Sequence, residues 1–377
     1  MASDKGSIRL PWHQHRFAGQ FREPFPDMSR PKCIGCCSIT AKRDFANDAR
    51  NGSYLYGPPF PDLPLDLNAG IADVIRKPTD FEQKDLEFVL RYIEHHQAEL
   101  LRPRKRQPES LGLHTHFVTL RGILRQIMCL QYDRNCEFRI KATLLNGTIY
   151  MAKEATETQQ LRNENMTTKE KNMCSWGFKF EQYLTCHHPQ SKPVTDVPVN
   201  EGDEFLAMFS SQLSGIDLLY GAEMDCVVSK EPVDFKDPKV LDSIKFVELK
   251  TSAYIKAPNQ KRNFDNYKSA NWWSQSFLVN IDTIYAGLRD HQGMVVDIQE
   301  FNVRQLARNK PWSPAAMTLF LVQFLNKLKD LLETIDDPYA VVQVDFIACE
   351  QIVNYKVLRG KEHQILPDWY RDILKAG

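Results

Sequence analysis

Apolar positions recur along the chain with two periods, and the switches between them outline its elements. Leu86, Val89, Leu90 and Ile93 form one helical stripe behind a capping-box pattern, Thr79-x-x-Glu82, and this helix is predicted to end near Arg102-Pro103. Phe117, Leu120, Leu124 and Ile127 keep the same spacing and predict a second helix over 115–130. Asn146-Gly147 then separates Phe138-Arg-Ile-Lys-Ala-Thr-Leu-Leu145 from Thr148-Ile-Tyr-Met151, a strong hairpin signal. A long polar helix over about 154–187 carries Met173, Trp176, Phe180 and Leu184 on its apolar side. Strand-like runs follow near 218–229, 243–252, 282–288 and 294–303, interrupted by a helix through Trp272 and Trp273.

Trp312-Ser-Pro314 opens a further amphipathic helix (Met317, Phe320, Leu321, Phe324, Leu328, Leu331). Strands at 341–349 and 352–358 and a short helix from Pro367 to Leu374 close the chain. The Pro-rich stretch 54–68 fits neither a helix nor an inner strand. No internal repeat or clean linker divides the rest. The expectation is one α/β domain over 35–377, preceded by an irregular N-terminal arm over 1–34.

Composition narrows the class. The 377 residues suffice for a large buried core, and 42% apolar with 25% charged residues is ordinary for a globular protein. Lysine plus arginine and aspartate plus glutamate balance at 48 each, so any nucleic-acid groove must be local. Nine cysteines without framework spacing predict reduced thiols in the nucleus or the cytoplasm. No run of about 18 apolar residues offers a membrane span.

Candidate chemistry sits in four short stretches. Glu223-Met-Asp225 and Glu248-Leu-Lys250 place charges at i and i+2 inside β-prone runs, so each pair is predicted to project from one face of its strand. Taken singly, the first reads as a solvated acidic edge and the second as a cross-strand ion pair worth under ~1 kcal/mol. Together they give three acids and a lysine on adjacent strands, the pattern of a PD-(D/E)xK nuclease core. There carboxylates hold Mg²⁺ and lysine steadies the attacking water and the developing charge. Gly177-Phe-Lys-Phe-Glu181 adds a fourth acid on the polar helix. Gly177 costs that helix ~1 kcal/mol and predicts a close approach by backbone or ligand. Trp272 and Trp273 read as core, while Gln275 on the same helix could reach a phosphate or a base.

Arg121 interrupts an apolar stripe and either snorkels or clamps a phosphate. Arg102-Pro-Arg-Lys-Arg106 reads first as charge at a helix end, with nuclear import or RNA contact second. Cys33-x-x-Cys36-Cys37 lacks a second ligand pair, so zinc is not expected there.

In order, these segments resemble the DXO family of eukaryotic decapping exoribonucleases. The resemblance is carried by Thr119-Leu-Arg121-Gly122, Gly177-Phe-Lys-Phe-Glu181-Gln-Tyr, Gly221-Ala-Glu223-Met-Asp225-Cys, Val247-Glu248-Leu-Lys250-Thr-Ser and Trp272-Trp-Ser-Gln275-Ser-Phe. Outside the motifs it extends from Gly35-Cys-Cys-Ser to Leu366-Pro-x-Trp-Tyr. It implies a single domain with two mixed β-sheets flanked by helices and a deep pocket. Glu181, Glu223, Asp225 and Glu248, with the backbone carbonyl of Leu249, would surround one or two Mg²⁺ or Mn²⁺ ions. Lys250 and Gln275 would contact the scissile phosphate, Arg121 a substrate phosphate, and Arg43 the substrate.

The implied substrate is RNA with an unpaired 5′ end: triphosphate, incomplete or unmethylated guanosine cap, or NAD cap. Degradation 5′ to 3′ would follow, in RNA quality control in the nucleus. The alternative is a non-catalytic RNA-end-binding partner of a processive 5′-to-3′ exoribonuclease. Retention of every acid favours the enzyme.

Overall fold

The computed structural model describes residues 4–12, 22–78, 85–104, 107–133 and 135–375. Within these, the strands form a ten-stranded sheet, a seven-stranded sheet and a two-stranded hairpin. Both large sheets are mixed, as expected. In the first, Phe117–Leu120 runs parallel to both of its neighbours, Thr148–Glu154 and Ile216–Glu223. In the second, Phe246–Ala253 pairs parallel with Thr283–Arg289, which pairs antiparallel with Met294–Asn302.

The largest core lies between the sheets and takes in Trp272, Trp273, Trp312 and the apolar face of the helix Pro314–Glu333. Phe324 of that helix packs on Phe346 of the ten-stranded sheet at 5.0 Å between ring centroids. The other face of this sheet is covered by the helices Asp85–His95 and Asp368–Ile373. Trp176, Phe180 and Leu184 of the helix Thr168–Leu184 cover Val247 and Leu249 on the far side of the seven-stranded sheet. Three layers of apolar burial thus hold the two sheets.

Several elements differ from their predicted form. Phe117–Leu120 is a strand, and the helix begins only at Arg121. Phe117, Val118 and Thr119 are fully buried, so the residues that look like a helical stripe are an inner parallel strand closed on both faces. The long helix over 154–187 is two helices, Glu157–Glu164 and Thr168–Leu184. Each starts at its own capping box, Thr156 with Gln159 and Thr167 with Glu170, and the second box restarts the helix after a break.

The helix predicted to reach Arg102 ends at His95, with one further turn over Gln97–Leu100 before the chain becomes strand at Leu101. Its capping-box pattern at Thr79 and Glu82, and Lys105 and Arg106 of the basic cluster, lie outside the described residues. The N-terminal arm is not irregular throughout. Lys5–Ser7 pairs antiparallel with Ile352–Leu358, and Lys32 already belongs to the strand Lys32–Ile39.

That strand, and Glu204–Leu213 beside it, carry no clean alternation, and periodicity did not reveal them. Cys36 and Cys37, neighbours on a strand, turn to different cores, and burial pushes the Cys33 and Cys36 thiols up to about 12. Asn146 and Gly147 do form the tight hairpin, both with positive φ (51° and 85°), the geometry of a type I′ turn.

Candidate active site

Glu248 and Lys250 behave as strand alternation predicts. They share one face of Phe246–Ala253, and the Lys250 ammonium donates directly to Glu248 Oε1. Gln275, on the helix Ser269–Phe277, donates its amide to the same oxygen at 2.5 Å. Arg121, the first residue of its helix, donates Nη1 to Glu248 Oε2 at 3.4 Å. Glu248 is 1% exposed. Burial alone would raise its carboxyl, but Lys250 and Arg121 outweigh it and hold the carboxyl below its ordinary value. The same attraction, from Glu248 and then Asp225, overcomes burial at Lys250 and raises its ammonium.

Glu223 and Asp225 reach the site by another route than the predicted one. Glu223 is the last residue of Ile216–Glu223 in the ten-stranded sheet, and Cys226 opens Cys226–Val227 in the seven-stranded sheet. Asp225 lies in the extended link between them and not on a strand face. Its Oδ2 accepts a 2.6 Å hydrogen bond from the backbone N–H of Leu249. The chain crosses between sheets at Met224-Asp225, and the crossing delivers both acids to the same cleft.

Glu181 arrives from the helix Thr168–Leu184. Glu181, Glu223 and Asp225 line one cavity of about 570 Å³, whose walls include Phe178, Val199 and Phe205. Burial, and then the charges of Asp225 and Glu223, raise the Glu181 carboxyl well above its ordinary value. Asp225 is pushed up to about 7 by burial and by Glu248, against the pull of Lys250. The cleft therefore carries more negative charge than its own cations neutralise.

The donor set fits a hard divalent cation: carboxylate oxygens, no thiolate or imidazole among the four, and mutual repulsion that a cation would relieve. As the side chains stand, no three His, Cys, Asp or Glu groups among the described residues form a closed metal cage. Glu248 is turned toward Lys250, Gln275 and Arg121, and Asp225 toward the Leu249 N–H. Among the described residues no backbone approaches Gly177, so that half of the expectation is not met, and a Cβ there would find open space within 4 Å.

Arg43 takes a left-handed backbone (φ 64°) and donates to Glu204 at 2.6 Å and to Asp85 at 3.2 Å. Lys77 binds the same Glu204 oxygen at 2.7 Å and stands 3.6 Å from Glu223 Oε1. Arg43 thus connects to the acidic cleft through Glu204 and Lys77. Sequence reading missed Lys77, Asp85 and Glu204. The available signal was a charged residue, Glu204, leading into the apolar run Phe205-Leu-Ala-Met-Phe209.

The family model described as RAI1-like PD-(D/E)XK nuclease matches residues 29–371 of this chain. The chain is 60% identical over 376 residues to the decapping and exoribonuclease protein Rai1 of Drosophila melanogaster, covering 100% of each. It is 28% identical over 354 residues to the decapping and exoribonuclease protein of Homo sapiens, covering 92% of this chain and 86% of that one. Its fold is similar to the crystal structure of Candida albicans Rai1 in complex with pU5-Mn2+, at TM-score 0.76 and 18% identity over 93% of this chain and 97% of the other. It is also similar to Scheffersomyces stipitis Rai1 in complex with (3′-NADP)+ and calcium ion, at TM-score 0.72 and 19% identity over 93% and 99%.

Proposed function

This chain belongs to the family of RAI1-like PD-(D/E)XK nucleases, and we propose that it is a metal-dependent hydrolase of RNA 5′ ends. Its substrates are RNAs with an unpaired 5′ end bearing a triphosphate, an incomplete or unmethylated guanosine cap, or an NAD cap, with 5′-to-3′ degradation of the chain afterwards. The observation that carries this reading is the meeting of Glu181, Glu223 and Asp225 in one cavity beside the Glu248–Lys250 pair. The names of the relatives support it, as do pU5 and Mn2+ in the Candida protein and (3′-NADP)+ in the Scheffersomyces protein.

Glu181, Glu223, Asp225 and Glu248, with the Leu249 carbonyl, would hold one or two Mg²⁺ or Mn²⁺ ions, which supply water activation and charge neutralisation at the phosphate. The rest falls to the side chains. Lys250, kept charged by Glu248, steadies the attacking water and the negative charge that builds on the phosphate oxygens. Gln275 offers an amide donor to the same phosphate. Arg121, 8% exposed, presents a fixed guanidinium fork to a neighbouring one. Arg43 holds Glu204, which in turn steadies Lys77 beside Glu223. The free state of all nine cysteines is compatible with work in a reducing compartment, the nucleus or the cytoplasm.

A purely RNA-end-binding partner of a 5′-to-3′ exoribonuclease would need no cluster of buried acids at the cost this one carries, so catalysis is favoured. Three end-labelled RNAs that differ only at the 5′ end, incubated with the protein and Mg²⁺ or Mn²⁺, test the reading. Each susceptible end is released by the wild type and by none of the Glu223→Ala/Asp225→Ala double variant. Unchanged turnover in the double variant overturns the proposal.

A further inference from the structure

Gln275 reaches Glu248 from a helix that is not regular. The chain is helical without a break from Pro258 to Phe277, but Phe264–Lys268 forms a π turn. The Ser269 N–H donates to the carbonyl of Phe264, five residues back, where an α-helix would use Asp265. The Asp265 carbonyl accepts instead from the Trp312 indole at 3.0 Å and from the Ser269 hydroxyl at 2.9 Å. A π turn adds a residue, so each side chain after it is rotated by about 100° relative to an unbroken α-helix. The register of this helix therefore decides whether Gln275 faces Glu248.

The neighbouring helix meets it at that register. Arg125, one turn beyond Arg121 on Arg121–Cys129, donates Nη1 to Asn271 Oδ1. Asn271 lies one turn before Gln275 and donates its own Nδ2 to the carbonyl of Tyr267, inside the π turn, at 3.1 Å. One amide thus joins Arg125 to the turn that sets the register. Cys129 Sγ, 3.3 Å from Ser274 Oγ, ties the same two helices again. Among the described residues no carboxylate stands within ion-pair distance of Arg125, and burial lowers its guanidinium from its ordinary value. A cation enclosed against a neutral amide is a poor source of stability, which leaves position as what the contact supplies.

We propose that Arg125 and Asn271 are a positioning pair: they hold the helix after the π turn in the register that aims Gln275 at Glu248 and at the scissile phosphate. This rests on the RNA 5′-end reading above. Arg121 and Gln275 grip the two oxygens of Glu248 from the two helices, and the Arg125–Asn271 contact, one turn along each, fixes the spacing between them. The pair makes no substrate contact of its own and acts through Gln275.

The test measures turnover of single-stranded 5′-triphosphate RNA in Mg²⁺ or Mn²⁺. Arg125→Met, which keeps an apolar stem, and Asn271→Ala each lose at least tenfold. The double variant loses no more than either alone, because both cut one contact. Added to Gln275→Ala, Arg125→Met costs less than a further twofold. Asn271→Asp keeps an acceptor for Arg125 and retains at least half of the wild-type rate. Hydrogen exchange in EDTA reads the tie without catalysis: amides of Ser269–Phe277 exchange at least fivefold faster in Arg125→Met, while those of Pro314–Glu333 do not change. An equal factor in the wild-type and Gln275→Ala backgrounds would mark a merely structural role and overturns the assignment. Unchanged turnover or unchanged exchange in Arg125→Met does the same. If Arg125→Met does not fold, the two Asn271 variants decide alone, and equal loss in both overturns the pair. Wild type inert on RNA would instead defeat the hydrolase reading, and hydrogen exchange would still decide whether Arg125 fixes the helix.

Discussion

The Oδ2 of Asp225 accepts a 2.6 Å hydrogen bond from the backbone N–H of Leu249. This contact ties the crossover between the sheets to the strand that carries Glu248 and Lys250. Leu249 is therefore held by its neighbour's carboxylate while its own side chain is buried under the helix Thr168–Leu184. Asp225 is at once a structural acceptor and a member of the acidic cleft.

These two roles separate by mutation. Asp225→Asn keeps an oxygen that can accept from Leu249 but removes the charge. It should fold with a melting temperature close to wild type and lose at least 100-fold in turnover. Asp225→Ala removes both, leaves the Leu249 N–H without its partner, and should lose about 1–2 kcal/mol in addition. Calorimetry beside an end-labelled RNA assay reads the difference. Equal stability of the two variants would show that the hydrogen bond contributes nothing.

The acids also make stability depend on pH and on metal. The Asp225 carboxyl is raised from 3.8 to about 7, and Glu181 is raised as well. A raised carboxyl favours the fold while it is protonated and loses that contribution as pH rises through the folded value. In EDTA the melting temperature should therefore drop between pH 5.5 and 8.5. Glu248, held low, is already ionised throughout this window and adds no slope there. Mg²⁺ or Mn²⁺ should restore the loss at the alkaline end, where the ligands are deprotonated. A flat profile in EDTA would mean that the acids do not crowd one another.

Glu204 is more critical to the fold than its absence from the motifs suggests. It is 7% exposed and compensates two cations, Arg43 and Lys77. Glu204→Ala leaves both without that charge in a poorly hydrated place and should cost about 3–5 kcal/mol. Glu204→Gln, which keeps the shape, should retain part of the stability and raise the metal concentration needed for half-maximal turnover, because Lys77 is then freer to lean on Glu223. Urea titration and a metal titration check the two statements independently.

Gly177 offers a change in the opposite direction. Among the described residues no neighbour lies within reach of an added methyl group, and the residue sits inside a 17-residue helix. Gly177→Ala should stabilise the protein by about 0.5–1 kcal/mol through helix propensity alone. A fall in RNA turnover without a fall in stability would reveal substrate passing over this position.

Access to the cleft sets the last expectation. Net charge is zero, so affinity must come from local contacts and fall only modestly with salt. A flexible single strand can enter a narrow cavity, whereas a stiff duplex end cannot follow it. Single-stranded RNA should be degraded and a blunt RNA duplex resist; equal rates on the two would remove the exonuclease half of the proposed function.

What the chain alone determined are features written in neighbours a few residues apart. Strand alternation puts Glu248 and Lys250 on one face, Asn146-Gly147 closes its hairpin, and the helical stripe of Met317 to Leu331 finds its buried side, because each depends on local geometry only. The four acids and Gln275 were legible as types, through spacing and through resemblance. Tertiary structure decided the rest. Glu223 and Asp225 meet because the chain changes sheets between them, which no periodicity encodes. Phe117–Leu120 is a strand because partners lie on both sides of it, although its apolar residues continue the spacing of the helix that follows. Lys77, Asp85 and Glu204 join Arg43 across as many as 161 residues of sequence, and charge pairing at that separation is visible only once the sheets have brought the partners together.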